Sequence, residues 1–163
     1  MAFYTIALSI VVLDHSTKWA AVHLAQGGPA LGDLVRLTLT YNTGAAFGLF
    51  PGARGPFVVI SAMAAAGLIY AHHVLPRSQH RRRLPMALIL GGILGNLVDR
   101  VRLGQVTDFI DMGIGDLRWP TYNVADIAVV VGVVTLATRL VVEMLHERRA
   151  RLAVSARESA DLG

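Results

Sequence analysis

The chain has 163 residues, enough for one domain, of which 54% are apolar and only 16% are charged. Soluble proteins average about 45–50% apolar and about 25% charged residues, so this composition favours an integral membrane protein. The net charge of +4 does not indicate nucleic-acid binding, because the arginines flank apolar segments instead of forming a stripe with aromatic residues, and the absence of cysteine excludes disulfides, thiolate nucleophiles and thiolate metal sites.

Four apolar segments predict the helices of a single membrane domain, 1–163: about 2–24, 57–75, 84–103 and 122–145. Each approaches the roughly 20 residues that a helix needs to cross a bilayer. The first is not interpreted as a signal peptide, because it lacks a charged amino-terminal region and Asp14 and Lys18 interrupt its apolar run. The expected fold class is an all-α integral membrane protein with four transmembrane helices.

The connecting segments predict the orientation. Arginines concentrate in Pro76–Arg83 and in the tail 146–163, whereas the loops 25–56 and 104–121 contain few of them. By the positive-inside rule, the N- and C-termini and the tail are expected to be cytoplasmic, and the two loops to lie outside. The tail itself should be frayed or form an interfacial helix.

The outer loops contain strand patterns. Apolar and polar residues alternate in Val35–Tyr41, which predicts a half-buried strand, and Val106–Ile110 could form a second one. We therefore expect a small β-sheet on the outer membrane face. The apolar segment Gly44–Phe50 is too short to span a membrane, and an interfacial turn or short helix suits it better.

Polar residues of the predicted helices gather at the outer leaflet when depth is counted at about 1.5 Å per residue. Ionisable groups at such depth are costly and indicate a functional site. The group consists of Asp14, Lys18, Asn42, Asn96, Asp99, Arg100, Asp108, Asn123 and Asp126.

Asp108 and Asp126 are the candidate catalytic pair. Two carboxylates close together in a poorly solvated site share a proton, which suits peptide hydrolysis by an activated water. Alternatively, Asp108 only decorates a loop and Asp126 caps the fourth helix. Spacing alone does not decide whether the two meet.

The other polar residues also have two interpretations each. Asn96 and Arg100 are expected to face the site and bind a substrate main chain, with Asp99 more structural; the alternative is pairing within the third helix. Asp14 and Lys18 form either a stabilising ion pair or a direct substrate contact. Asn42 could form a turn with Gly44 or bind a peptide backbone.

Five short sequence blocks follow one another along the chain: Asp14–Lys18 (DHSTK), Asn42–Gly48 (NTGAAFG), Gly95–Arg100 (GNLVDR), Val106–Asp111 (VTDFID) and Trp119–Asp126 (WPTYNVAD). In this order, the blocks resemble the lipoprotein signal peptidase (signal peptidase II) family. Together with the four helices, the resemblance extends to about residue 145.

The resemblance implies an aspartic endopeptidase, with Asp108 and Asp126 as its catalytic pair. It implies that Asn42, Asn96, Arg100 and Asn123 line the substrate site while Asp14, Lys18 and Asp99 support it, without metal or cofactor. The implied location is the bacterial cytoplasmic (inner) membrane, with the active site at the outer leaflet. The implied reaction removes the signal peptide of diacylglyceryl-modified prolipoproteins by cleavage before the lipidated cysteine, and membrane lipids would be the other partners. We expect a monomer.

Two residues depart from the family pattern: His15 stands where Gln is usual, and Tyr122 where Phe is usual.

Two other functions compete with the peptidase. A small proton-coupled carrier or channel subunit would place polar groups at both leaflets and at mid-depth. A metal-dependent intramembrane hydrolase would need histidines near the carboxylates, and His72, His73 and His80 are predicted at the cytoplasmic side.

Overall fold

The computed structural model describes residues 1–24, 34–44 and 54–161, and their side chains except at 24, 77 and 154–161. The predicted Gly44–Phe50 turn lies outside these residues except for Gly44. Within them, the order of elements is α1 (Ala2–Leu24), β1 (Val35–Asn42), α2 (Arg54–Val74), α3 (Arg83–Leu103), β2 (Val106–Ile114), β3 (Leu117–Arg118) and α4 (Val124–Asp161). A short 3₁₀ helix, Arg77–Arg82, joins α2 to α3.

Three helical segments of the described chain are long and apolar enough to cross a membrane: Arg54–Val74, Ser78–Leu103 and Val124–Ala153. Helix α1 is 23 residues long but is not among them. Its C-terminal half contains the polar run Asp14–Lys18, which lowers its mean hydropathy. The mostly helical fold is confirmed, while the fourth span remains a prediction.

Helix α4 is longer than its apolar segment. It continues to Asp161, whereas the sequence pattern predicted an end near residue 145. Arg, Ala and Glu dominate the extension, and no Gly or Pro interrupts it, so helix propensity favours continuation. Glu143, just before this extension, forms an ion pair with Arg82 of the 3₁₀ helix.

Helix α3 is the centre of the bundle and packs against the other three helices. Where α1, α2 and α3 meet, the buried core includes Phe3, Ala65 and Leu90. Small residues allow the closest approaches: a Cβ on Gly91 would lie 2.7 Å from the carbonyl oxygen of Ala7 in α1, and one on Gly92 would overlap the carbonyl oxygen of Ala125 in α4. These contacts set the spacing of the helices.

The sheet confirms the predicted strands and extends them. Its strands are antiparallel in the order β1-β2-β3, with a bulge in β1 between Leu37 and Thr40. The two-residue strand β3 was not predicted, because a pair of residues carries no detectable alternation. Beyond it, the backbone of Tyr122 pairs with Ile110, and Ile110 N–H donates to Tyr122 O at 2.8 Å. This pairing fixes the start of α4 beside β2.

Gly92→Ala should destabilise the protein by about 1–3 kcal/mol, because the added methyl forces α3 away from α4. Gly67→Ala is the matched control, since a Cβ at this helical position of α2 meets nothing within 4 Å. Thermal unfolding in detergent micelles measures both. Equal unfolding midpoints for the two variants would contradict the close α3–α4 contact.

Candidate active site

Asn123 joins the two candidate catalytic carboxylates. Its side-chain Nδ2 donates to Asp108 Oδ1 at 2.7 Å, and its backbone N–H donates to Asp126 Oδ2 at 3.1 Å. In return, the backbone N–H of Asp126 donates to Asn123 Oδ1 at 2.9 Å, which completes a reciprocal capping arrangement at the first turn of α4. Asp126 therefore caps the helix, as one interpretation predicted, and the same cap brings it beside Asp108.

The second oxygen of each carboxylate has its own amide donor. Asn96 Nδ2 donates to Asp126 Oδ1 at 2.8 Å, and Asn42 Nδ2 lies 3.4 Å from Asp108 Oδ2. Asn123 is fully buried, and its Nδ2 also contacts Asn96 Oδ1 at 3.1 Å. The three asparagines form one network around both carboxylates. Asn42 additionally accepts the N–H of Gly44, so it forms the predicted turn and contacts Asp108 at once.

A cavity of about 250 Å³ opens beside Asp108. Its walls come from the carboxyl end of β1 and from the segment that precedes α4. The lining residues are Thr40, Tyr41, Asn42, Thr43, Gly44, Asp108, Pro120 and Thr121. Asp108 itself is only 2% exposed, so a water or a peptide group in this cavity meets a largely desolvated carboxylate.

The pKa of Asp108 is raised from 3.8 to about 7. Burial is the main cause, and the negative charge of Asp126 adds to it. Hydrogen bonds from Asn123 and Asn42 and the charge of Lys18 act in the opposite direction. Near neutral pH, Asp108 is therefore able to hold a proton, as general acid–base chemistry at this pH requires.

Lys18 binds two further buried carboxylates. Its ammonium lies 2.7 Å from Asp14 Oδ2 and 2.8 Å from Asp99 Oδ2, and it donates to Asn96 Oδ1 at 3.2 Å. Asp14 is fully buried, and Lys18 and Asp99 are 4% and 5% exposed. The interaction is thus an ion pair, as one interpretation predicted, but it also reaches across to α3.

These two supporting carboxylates hold the backbone next to the candidate dyad. Asp14 Oδ1 accepts the N–H of Ala125 at 3.0 Å, and Asp99 Oδ2 accepts the N–H of Thr107 at 3.2 Å. Ala125 directly precedes Asp126, and Thr107 directly precedes Asp108. We call the group of Asp14, Lys18 and Asp99 the Lys18 clamp, because the ammonium connects the two backbone contacts. A backbone N–H has no signature in the sequence, so these contacts could not be predicted.

Arg100 lies at the end of α3 and links it to the end of β1. Its guanidinium donates to the carbonyl of Gly44 at 3.2 Å and lies 5.6 Å from the centre of the Phe57 ring. Its electrostatic partners are Asp126, Asp108 and Asp99. Arg100 therefore supplies positive charge to the site while it holds one wall of the cavity.

Asp111, the remaining acidic residue of β2 in the matching sequence blocks, belongs to a different contact. Its Oδ1 accepts from Arg118 Nε at 2.9 Å and its Oδ2 accepts from Thr38 Oγ1 at 3.1 Å. The Arg118 hydrogen bond holds the pKa of Asp111 below its usual range. Asp111 is thus an ionised sheet residue and a suitable control for Asp108.

No group of three or more His, Asp or Glu side chains suited to a metal ion occurs among the described residues. His72 stacks on Phe3, near the start of α1, whereas the carboxylates cluster around Lys18 near its end.

Asp126→Asn should lower the pKa of Asp108 from about 7 towards its ordinary value, because one of the causes of the raised pKa is the Asp126 charge. Titration of carboxyl-labelled protein by ¹³C NMR measures the change. Asp111→Asn is the control and should leave the Asp108 titration unaltered. An unchanged Asp108 pKa in Asp126→Asn would contradict the electrostatic coupling of the pair.

Lys18→Met should destabilise the protein by about 3–5 kcal/mol, because it leaves two buried carboxylates without their cation. The control is Arg82→Met, whose partner Glu143 is 38% exposed and remains hydrated. Denaturant unfolding in micelles should show a large loss for the first variant and little change for the second. Similar losses in both would show that the Lys18 clamp does not stabilise the bundle.

Comparisons with known proteins agree on one family. The family model described as "Signal peptidase (SPase) II" matches residues 6–142, which include all of the site residues named above. The lipoprotein signal peptidase of Moorella thermoacetica is 38% identical over 143 residues, which cover 86% of this chain and 93% of the relative. That of Geobacter sulfurreducens is 39% identical over 153 residues, covering 90% and 93%.

Two solved structures have the same architecture. Both are described as a bacterial membrane enzyme studied by the in meso method. One has a TM-score of 0.77 at 26% identity and covers 88% of this chain and 89% of its own; the other has a TM-score of 0.72 at 27% identity and covers 85% and 92%. With the family match over most of its length and relatives of this similarity, the chain belongs to the signal peptidase II family.

Proposed function

We propose that this chain is an aspartic endopeptidase that uses Asp108 and Asp126 to cleave its substrate. As a member of the signal peptidase II family, it removes signal peptides from prolipoproteins. The observation that carries the catalytic assignment is the Asn123 bridge, which holds both carboxylates in one buried network beside a cavity. The carrier or channel alternative is not supported, since the family and its relatives are peptidases.

The proposed reaction starts with a dyad that shares one proton. One carboxylate takes a proton from a water in the cavity as the water oxygen attacks the scissile carbonyl carbon, and the other gives its proton to the carbonyl oxygen. The tetrahedral intermediate then collapses and the C–N bond breaks: the dyad gives its proton to the leaving amine and takes one from a hydroxyl of the intermediate, so it again holds one proton. The raised pKa of Asp108 makes the singly protonated state available near neutral pH.

Amide and guanidinium groups would guide the substrate. Asn42 lies at the cavity beside Asp108, and Asn96 and Asn123 hold the two carboxylates from the helical side. Arg100 adds a positive charge near the developing oxyanion, and such fixed donors stabilise charge that appears in the transition state. We propose that cleavage occurs before the diacylglyceryl-modified cysteine, whose lipid tails stay in the bilayer.

The proposed topology has four spans with both termini cytoplasmic. The charges that lower the hydropathy of α1 are paired inside the bundle by Asp99, so they do not meet lipid. Its exposed side chains include the apolar Leu8 and Val12. The arginine-rich connection lies at the opposite end of the bundle from the carboxylates, which supports an outer-leaflet site in the bacterial inner membrane.

No second chain or bound group is part of the proposal. The carboxylates, their amide donors and the Lys18 clamp all come from one polypeptide, which supports a monomeric enzyme. The same donor set, carboxylates held by amides and by an ammonium, supports catalysis without a metal or other cofactor.

Asp108→Asn and Asp126→Asn should each abolish cleavage of a purified diacylglyceryl precursor. Each variant keeps only one carboxyl group, and one group cannot act as general acid and general base at once. Each folded variant is placed in lipid vesicles with the precursor, and cleavage is measured from the gel mobility of the product. Asp111→Asn, the matched control on the same strand, should retain activity close to that of the unmodified protein.

The same assay includes two further arms. Excess chelator should leave cleavage unchanged, whereas loss of cleavage would point to a metal-dependent hydrolase. The unlipidated precursor should be cleaved far more slowly than the lipidated one. Near-normal cleavage by either dyad variant would remove that carboxylate from the mechanism.

A further inference from the structure

His15 lies beside the Lys18 clamp, on α1 with Asp14 and Lys18. Its ring Nδ1 is 3.0 Å from the carbonyl oxygen of Val11, one helical turn earlier. A carbonyl oxygen can only accept a hydrogen bond, so Nδ1 must carry a proton to make this contact. Nδ1 therefore donates its proton to the helix backbone. The side chain is then neutral when Nε2 has no proton and positively charged when Nε2 has one.

The second ring nitrogen points at a carboxylate. His15 Nε2 is 3.6 Å from Asp99 Oδ1, is buried, and has no hydrogen-bond partner, although the side chain as a whole is 28% exposed. Without a proton, Nε2 would direct a lone pair at a carboxylate oxygen, and two acceptors would face each other. With a proton, the same contact becomes an ion pair between an imidazolium and Asp99.

The charges around His15 favour the ion pair. In the Lys18 clamp, two carboxylates face a single ammonium, which leaves one negative charge in excess. From α3, Arg100 acts on Asp99, but it acts more strongly on Asp126 and Asp108 of the dyad. If the dyad holds one proton, the negative charges are Asp14, Asp99 and the dyad, and an imidazolium at His15 joins Lys18 and Arg100 to balance them.

We propose that His15 is a positioning residue that, as an imidazolium, holds the Asp99 carboxylate in the orientation required for catalysis. Asp99 Oδ1 faces His15, while its Oδ2 binds Lys18 and the N–H of Thr107. Thr107 directly precedes Asp108, so rotation of Asp99 displaces one member of the dyad. His15 is not among the residues that line the cavity, and it faces both carboxylates of the Lys18 clamp, since its Nδ1 also lies 3.8 Å from Asp14 Oδ2. This inference rests on the proposed catalytic role of Asp108 and Asp126.

The test compares His15→Gln with the unmodified enzyme across pH, using a diacylglyceryl precursor in vesicles. The amide of glutamine can still donate to Asp99, but it cannot gain or lose a charge. The ratio of kcat for His15→Gln to kcat for the unmodified enzyme should rise about tenfold between about pH 6 and about pH 9, as the imidazolium loses its proton. KM should not change, since His15 does not contact the substrate. A ratio that stays constant with pH would overturn the proposal.

His23→Gln is the matched control. His23 is also on α1 and makes the same ring contact, with Nδ1 2.8 Å from the carbonyl of Trp19, but it is exposed and stacks on the Trp19 ring. Its profile should parallel that of the unmodified enzyme. Because the dyad titrates in all three proteins, its own pH dependence cancels in each ratio.

Ring-¹⁵N NMR gives a readout that does not depend on turnover. The His15 signals, assigned by their absence in His15→Gln, should show that Nε2 gains a proton over the pH range in which the kinetic ratio changes. An Nε2 that stays bare throughout that range would overturn the proposal even if the kinetic ratio changed. If Asp108→Asn and Asp126→Asn abolish cleavage while the His15→Gln ratio is flat, only this inference fails; if either dyad variant remains active, the proposed function fails first.

Discussion

The Lys18 ammonium, bound to Asp14 and Asp99, is the contact on which the rest of the site depends. Burial of any one of these charges alone would be prohibitive, so the three must remain together whenever the bundle is closed. Because Asp14 binds the N–H of Ala125 and Asp99 binds the N–H of Thr107, the same contact fixes the backbone next to each dyad carboxylate. One ammonium and its two carboxylates thus stabilise the helices and align the groups of the proposed chemistry.

Asn123 also has two roles, because its side chain connects the start of α4 to the sheet. Its side chain caps the helix through Asp126 N–H and also binds Asp108, so the cap geometry determines how far apart the carboxylates lie. The backbone pairing of Tyr122 with Ile110 brings the helix start to this position. A change in the turn before α4 would therefore alter the dyad before it altered the stability of the helix. A rigid sheet–helix junction is a precise support for such a pair.

Much of this arrangement follows from patterns in the sequence. Alternation in Val35–Tyr41 predicted β1, and counting helical depth placed Asp108 and Asp126 at one level, where the structure joins them through Asn123. Patterns could not reveal the contacts to backbone N–H groups or the extension of α4, since apolar periodicity marks where a helix is buried and not where it ends. Sequence patterns also do not reveal ion pairs between helices. Asp14 and Lys18 lower the hydropathy of α1, although both side chains are buried in the bundle and do not face lipid.

The aspartates of the site differ in the groups that they face. This difference distinguishes the supporting pair, Asp14 and Asp99, from the proposed catalytic pair, Asp108 and Asp126. Asp14 and Asp99 face an ammonium, whose positive charge compensates their negative charge. Asp108 and Asp126 instead face asparagine amides, which orient a carboxylate but bring no net charge. Burial and mutual repulsion then dominate, and the pKa of Asp108 rises to about 7. A cation in place of Asn123 would hold the pair just as firmly but would remove the proton that hydrolysis needs, so neutral partners are a requirement of the proposed mechanism.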